Sequence, residues 1–451
     1  MERTQKVREN IARLLASRDR KGLTNYLKET HYADLAEVLP LFDLPEQIAI
    51  LSHVDYNVAA QVLYELDRSQ VASLLEGLGV HRTALILQEM SSDDAADLIG
   101  ELDEETKAKY LGMMPSQDAE DVQELLEYEP DTAGGIMTTE FVFINKEMTA
   151  EEAIAHIRRT APGAETVYYV YVVNDRNQLV GVISLRELIL ADPSKQIKDI
   201  MRTKVISLNV HTDQEEVARV VAKYDFLALP IVDDDGVLVG IVTVDDVLDV
   251  IEEEATEDYL SLANVKQESR YLELSDFERA GRRLPWLITL LFGSLLAGSV
   301  IQLFEGTLQA VTALAFFMPV IAGGPGNVAT QTLAVVVRGL GTGEVNPKHG
   351  FYIILKEARV GLLVGIISGL VLATVAIIWQ DNFILGLVVG ISLAASMLVA
   401  TVLGSLFPFF ISRIGVDPAL ASGPFITTLM DATSMLIYFG MASAIWFGLG
   451  F

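Results

Sequence analysis

The chain contains no cysteine, which removes disulfides, thiolate metal sites and thiol catalysis and fits a reducing compartment. Base is scarce as well: 33 Lys and Arg stand against 61 Asp and Glu, a formal net charge of -28. Such acidity disfavours nucleic acid and anionic lipid as partners of a soluble part and favours cations or plain solubility. Charge of either sign then becomes rare. Residues 1–283 hold 55 acids and 28 bases, whereas residues 284–451 hold 6 and 5. An acidic soluble half therefore precedes an apolar half. The first 22 residues mix Arg, Lys and Glu with short apolar pieces and lack the continuous apolar core of a secretory signal, so the soluble half is expected in the cytoplasm.

The apolar half reads as five membrane spans, at about 284–304, 308–337, 360–379, 383–410 and 421–449, each long enough for a hydrocarbon core of roughly 30 Å. They contain no His or Cys and a single acid, Asp431, in the run Ser422-Gly423-Pro424-Phe425-Ile426-Thr427-Thr428-Leu429-Met430-Asp431. A charge at bilayer depth is expensive and marks an ion or proton path; the plainer reading is a carboxylate held neutral or hydrogen-bonded between helices. Basic residues precede span one (Arg279, Arg282, Arg283), separate spans two and three (Arg338, Lys348, Lys356, Arg359) and separate four and five (Arg413). The positive-inside rule then places the N-terminal half in the cytoplasm and the C-terminus outside. In span two, Pro319 and Gly323-Gly324-Pro325-Gly326-Asn327 predict an interrupted helix, a form that lines ion sites or, more plainly, a packing kink.

In the soluble half an apolar pair recurs every twelve residues: Val38-Leu39, Ile50-Leu51, Val62-Leu63, Leu74-Leu75, Ile86-Leu87, Leu98-Ile99 and Tyr110-Leu111. Four places after each pair stands Asp43, Asp55, Asp67, Gly79, Ser91, Asp103 or Pro115. This predicts short helices, capped mainly by Asp and Ser, stacked into an α-solenoid. From Met137 two copies of a strand and helix unit follow at an offset of fifty-nine residues, with Leu179-Val180-Gly181-Val182-Ile183-Ser184 set against Leu238-Val239-Gly240-Ile241-Val242-Thr243. They resemble a tandem CBS pair. In that family the hydroxyl and acid after the Gly-bearing strand contact an adenine nucleotide's ribose, and here those positions hold Ser184 and Glu187, then Thr243 and Asp246. A dimerisation module without ligand is the plainer alternative. The second copy ends in a fourteen-residue stretch, Asp245 to Asp258, with eight acids and no base. On a helix Asp246, Asp249, Glu253 and Glu257 share a face, where like charges repel unless a cation sits among them, and carboxylates alone select hard cations such as Mg2+ or Ca2+. A solvated acidic face is the other reading.

Taken together, the chain resembles the MgtE family of magnesium transporters. The likeness is carried by Met137 after Ala133-Gly134-Gly135, by Thr243-Val244-Asp245-Asp246-Val247-Leu248-Asp249, by the element from Gly326-Asn327 to Gln331, and by Asp417-Pro418-Ala419 leading to Asp431. The resemblance implies a helical N-domain (1–130), a tandem α/β CBS pair (137–258), a connecting or plug helix (259–283) and a five-helix transmembrane domain (284–451). It implies a homodimer in the plasma membrane, carrying Mg2+ through a pore at the dimer axis with Asp431 near the selectivity site, and closed by cytoplasmic Mg2+. The sensor positions it implies are Asp213, Asp225, Asp246, Asp249, Glu254, Glu257 and Asp258, with Asp93, Asp94 and Asp97 in the N-domain; the same likeness adds Tyr169, Arg186, Phe226 and Pro230 to the nucleotide contacts, with ATP as a candidate modulator. A nucleotide-sensing membrane receptor is the second reading, but an anchor needs neither Asp431 nor a broken span. An intramembrane enzyme is third and lacks an acid and base pair.

Overall fold

The computed structural model describes residues 2–66, 68–161, 164–262, 275–414 and 423–448, in two compact units, 1–252 and 253–451. In the first unit ten helices come first: α1 (Glu2–Ala16), α2 (Arg20–Glu29), α3 (Tyr32–Val38), α4 (Leu44–Leu51), α5 (Tyr56–Tyr64), α6 (Arg68–Leu78), α7 (Val80–Leu87), α8 (Ser92–Gly100), α9 (Glu104–Leu111) and α10 (Ser116–Leu125). The twelve-residue period explains them, because every apolar pair from Val38-Leu39 to Leu98-Ile99 is buried in one core, as is Tyr110. Each fully buried aliphatic side chain contributes on the order of 2 kcal/mol, enough to hold helices too short to persist alone. The caps are uneven. Asp43 forms a capping box with Glu46, and Asp103 accepts from the backbone N–H groups of Glu105 and Thr106. Asp55 and Ser91 occupy N-cap positions with extended backbone but make no side-chain cap bond, and Asp67 lies outside the described residues. Gly79 holds φ at +80°, a turn that a side chain would strain.

The two strand and helix copies follow. The first has β1 (Phe141–Asn145), α11 (Ala150–Thr160), β2 (Thr166–Val173), β3 (Leu179–Ser184) and α12 (Leu185–Leu190); the second has β4 (Leu208–Asn209), α13 (Gln214–Tyr224), β5 (Ala228–Val232), β6 (Leu238–Thr243) and α14 (Val244–Leu262). In each, the first two strands pair in parallel and the last two antiparallel. The linkers are exchanged between copies. Thr138, ahead of the first copy, trades both backbone hydrogen bonds with Ile241 of β6, and Arg202, ahead of the second, does so with Val182 of β3. Glycine permits this: a Cβ on Gly240 would strike Met137, and one on Gly181 would strike Met201. The first copy has its own core, whereas the second shares one with the helical domain through Ala133 and Met137.

α14 runs without a break through the acidic stretch. Of the expected connecting segment 259–283, the first four residues belong to α14, 263–274 lie outside the described residues, and the rest opens α15 (Asp276–Leu303), which continues through Pro285. Next come α16 (Glu305–Ala310), α17 (Met318–Gly341), α18 (Gly350–Gln380), α19 (Phe383–Arg413) and α20 (Gly423–Gly448). Five helices among the described residues are long and apolar enough to span a membrane. The interrupted second span is corrected here. Pro319 sits in the first turn of α17, where a missing N–H costs nothing, and the helix then passes unbroken through the glycines and Pro325. The irregular piece lies earlier, a 3-10 stretch at Thr312–Phe317. α18 and α19 meet backbone to backbone, with Gly365 against Ala394 and Gly369 against Gly390, the close approach that small residues give membrane helices.

Candidate metal centre

The first turn of α8 is Ser92-Asp93-Asp94, and that of α14 contains Asp245 and Asp246. Acids suit helix N-termini, where the backbone N–H groups leave partial positive charge, and the fold then aims the two N-termini at each other. Carboxylate oxygens of Asp93, Asp94 and Asp246 lie within 4.8 Å of one another, as do those of Glu165, Asp245 and Asp246. Beside them is a cavity of about 410 Å³ lined also by Tyr64, Glu65, Glu89 and Asp249, with no Lys, Arg or His in the lining. Tyr64 donates its hydroxyl to Asp249 Oδ2 at 2.9 Å, and Thr243 donates to Asp246 Oδ2 at 2.5 Å.

Without a counter-charge these acids hold their protons. Burial, then the Asp93 charge, pushes Asp94 up to about 7 and Asp246 up to about 8, with the Thr243 hydrogen bond opposing the second shift. The same two causes raise Glu165 to about 9 although part of its side chain stays exposed, and raise Glu140 to about 7. Burial also raises Asp93, which is 6% exposed; its Oδ1 is buried without a hydrogen-bond partner. An orphaned carboxylate oxygen inside an all-oxygen donor set fits a hard divalent cation.

Of the sensor positions read from the sequence, Asp93, Asp94 and Asp246 come together, Asp249 lines the adjoining cavity, and Asp97 is one turn further along α8, its charge acting on Asp93. Asp213 and Asp225 are placed elsewhere. Asp213 is exposed and caps α13 by accepting from Glu215 N–H, and Asp225 ends that helix in the left-handed conformation, φ 54°. Both therefore have backbone roles outside the cluster. Glu254, Glu257 and Asp258 follow on α14, Glu257 exposed and the others half-buried. Tyr64, Glu140, Glu165 and Asp245 escaped the sequence reading as site residues. Only Asp245 carried a signal, its place in the acidic run.

On the nucleotide side, Ser184 and Glu187 form a capping box on α12, and Glu187 also accepts from Arg202 at 2.6 Å, which holds its carboxyl down at about 2. Tyr169 pairs with Ser184 across β2 and β3 and packs on a cluster containing Ala228 of β5. Phe226 and Pro230 flank Ala228 in sequence; Pro230 is buried, Phe226 half-buried and stacked on Tyr224, and Arg186 exposed. Thr243 donates its hydroxyl to Asp246 as Ser184 donates to Glu187 Oε2 at 2.8 Å, so hydroxyl and acid pair in the same way in both copies.

In the second unit, Asp431 is half-buried on α20, one turn beyond Thr427, which packs against Gly326 of α17. The hydroxyls of Thr427 and Thr428 both donate to the Pro424 carbonyl at 2.9 Å, so neither is free to donate to water. Ser422 and Asp417-Pro418-Ala419 lie outside the described residues.

Sequence relatives agree with this plan. Over 323 residues the chain is 47% identical to the magnesium transporter MgtE of Bacillus subtilis (strain 168), covering 72% of this chain and 71% of that one. The chain belongs to the MgtE family of magnesium transporters. The MgtE transporter of Thermus thermophilus is 45% identical over 322 residues, 71% of each chain. The MgtE family described as divalent cation transporters matches residues 318–441, the MgtE intracellular N domain matches 30–131, and CBS domains match 133–194 and 197–253. A crystal structure of the cytosolic domain of the Mg2+ channel MgtE in complex with ATP is 41% identical, with a TM-score of 0.53, over 54% of this chain and 99% of that one. The soluble part of a magnesium transporter is 38% identical, with a TM-score of 0.51, over 56% and 99%. MgtE membership and five apolar helices make the chain a multi-pass membrane protein, and the relatives that match over about 71% of it are named as magnesium transporters, a non-enzymatic function.

Proposed function

We propose that the protein is a Mg2+-selective channel or transporter of the plasma membrane that works as a homodimer, conducts along the dimer axis past Asp431, and closes when cytoplasmic Mg2+ binds the acidic cluster. The division into 1–130, 137–258, 259–283 and 284–451 belongs to this reading, with the N-terminus cytoplasmic and the C-terminus outside. The observation that carries it is the meeting of Asp93 and Asp94 with Asp245, Asp246 and Glu165 in a lining without base. Ionised, these groups repel across α8 and α14; a bound dication reverses the sign and draws the two helices together. Only the closed arrangement presents all the ligands, so Mg2+ binds it more tightly and shifts the population. α14 is continuous to Leu262, so displacement of Asp246 and Asp249 moves Glu254, Glu257 and Asp258 as one rod. Closing at high internal Mg2+ makes negative feedback.

Asp431 supports the permeation half of the reading. One carboxylate per chain is a thin counter-charge for a dication, and a two-fold axis supplies two. Mg2+ gives up water reluctantly, so such a site holds it largely hydrated. α15 has no buried residue in the single chain, which suits contact with lipid or a second copy. ATP enters as a modulator at Tyr169, Ser184, Arg186, Glu187, Phe226, Pro230, Thr243 and Asp246, the positions read from the sequence, and the ATP-bound relative supports the ligand. Mg2+ uptake into liposomes containing only this protein tests the whole reading: uptake that falls as Mg2+ rises on the cytosolic face supports it, and nucleotide binding without uptake leaves a receptor.

A further inference from the structure

We infer that the exposed face at the start of α18, from Lys348 to Arg359, binds the headgroup of an anionic phospholipid whose acyl chains lie along the same helix. The inference uses only the fact that the chain spans a bilayer and stands apart from the ion path. Depth comes first. α18 has 31 residues and is about 46 Å long, well over the roughly 30 Å of a hydrocarbon core. Arg359 and Trp379 are both exposed and lie about 30 Å apart along the axis, with no charged residue between them. They mark the two edges of the core. Lys356 and Tyr352 then stand about one and two turns outside it, at headgroup level, where aromatic rings and bases collect.

Polar end and apolar run form one stripe. At about 100° per residue, Tyr352, Lys356, Arg359, Leu363, Ile366 and Leu370 fall within an arc of about 80°, and all six are exposed. The other side of the helix carries Gly361, Gly365 and Gly369, buried against α19, so the stripe faces away from its own bundle. From Arg359 to Leu370 the rise is about 16 Å, the depth of one leaflet. A lipid whose phosphate meets Lys356 and Arg359 therefore lays its chains on the aliphatic part. Sign selects the lipid. Neither base has an ion-pair partner among the described residues, and Lys348, exposed in the 3-10 turn before α18, adds a third positive charge. Glu357, the one acid of α18, is half-buried and about 140° round from the middle of the stripe. α15 opens differently, with Asp276 and Glu278 set among Arg279, Arg282 and Arg283. Each free base near a membrane surface favours an anionic lipid about fivefold, and the planar guanidinium of Arg359 suits two phosphate oxygens at once. In the orientation proposed above, this lipid belongs to the cytoplasmic leaflet.

The test titrates the full-length protein in detergent micelles with dioleoylphosphatidylglycerol or dioleoylphosphatidylcholine and counts bound lipid by native mass spectrometry. Wild type should prefer phosphatidylglycerol by about tenfold or more. Lys356→Gln combined with Arg359→Gln should weaken phosphatidylglycerol about twenty- to thirtyfold, fivefold for each base, and leave phosphatidylcholine within about twofold. Arg282→Gln combined with Arg283→Gln makes the same charge change at the start of α15 and should leave phosphatidylglycerol within about twofold. Equal affinity of wild type for the two lipids overturns the inference, as does equal loss in both double variants, since overall charge alone is then at work. Sedimentation of the same samples tests the rival occupant. If the α18 variant changes the number of chains per particle, a second copy covers this face and the lipid site is refuted. Should the α18 double variant fail to fold, Lys356→Gln alone, expected to be about fivefold weaker for phosphatidylglycerol, carries the same comparison.

Discussion

Mg2+ binding at the acidic cluster should release protons, and a first count follows from two half-buried acids whose charge must be freed. Asp94 titrates at about 7 and Asp246 at about 8 with no ion present. At about pH 6.5 the two carry nearly two protons, at about pH 7.5 one, and by about pH 9 almost none. Binding requires the carboxylates, so apparent Mg2+ affinity should climb about a hundredfold from about pH 6.5 to about pH 9 through these two groups, and further as Glu165, raised to about 9, gives up its proton. Stability without Mg2+ moves the other way. A carboxyl whose pKa is raised by burial favours the closed arrangement while protonated, below its ordinary value, and loses that support as pH rises through about 7 to 8. The Mg2+-induced rise in melting temperature should therefore be larger at about pH 8.5 than at about pH 6.5. Calorimetric titration of the full-length protein in buffers of different ionisation heat gives the proton count directly. An affinity that is flat from about pH 6.5 to about pH 8, with no proton release, would refute the assignment of Asp94 and Asp246 as ligands.

Asp431→Asn should abolish or nearly abolish Mg2+ uptake while leaving a folded protein, because it removes the only acid of α20; wild-type uptake would sink the assignment. Tyr64→Phe removes the hydroxyl that ties α5 to Asp249, and should raise the Mg2+ needed for closure a few-fold in patch recordings with conductance unchanged. Neutralising Asp246, Asp249 and Glu257 together should leave the pore active at Mg2+ levels that shut the wild type, and an unshifted closing range would reduce the cluster to a solvated face. Ser184→Ala and Thr243→Ala each remove a hydroxyl read as a ribose contact and should weaken ATP binding in calorimetry at fixed Mg2+; unchanged binding would take that position out of the nucleotide site.

Local chemistry was the part of this molecule legible in the sequence. The twelve-residue period marked helices from α3 to α9 because the pairs from Val38-Leu39 to Leu98-Ile99, and Tyr110, had to be buried, and the fifty-nine-residue offset marked two copies of one sheet. Asp43 and Asp103 cap as their positions suggest, while Asp55 stands at its N-cap without bonding, since side-chain rotation is not written in spacing. Pro325 misled in the opposite direction: a proline within glycines reads as a break, yet packing against α19 and α20 holds the helix together. The carboxylate cluster was half legible. Asp246 and Asp249 stand out in an acidic run, but Glu165 looks like any loop acid, and Tyr64 lies 185 residues from its partner. Long-range contacts of that kind come from tertiary packing, for which no local pattern exists.

The exchanged linker ahead of the first copy also turns the acidic cluster into a jaw with a built-in pivot. Ser92 Oγ lies 3.0 Å from the Thr139 hydroxyl and 3.3 Å from that of Thr138, and Thr138 is stitched to Ile241, two residues before the threonine that holds Asp246. Asp93 is the next residue after Ser92. The opposing acids are thus leashed to each other through one short strand, and repulsion between them has leverage only for rotation about that leash. Gape should grow toward the Tyr64 end, which makes the Tyr64–Asp249 bond the tip that parts first and Ser92 the point that barely moves.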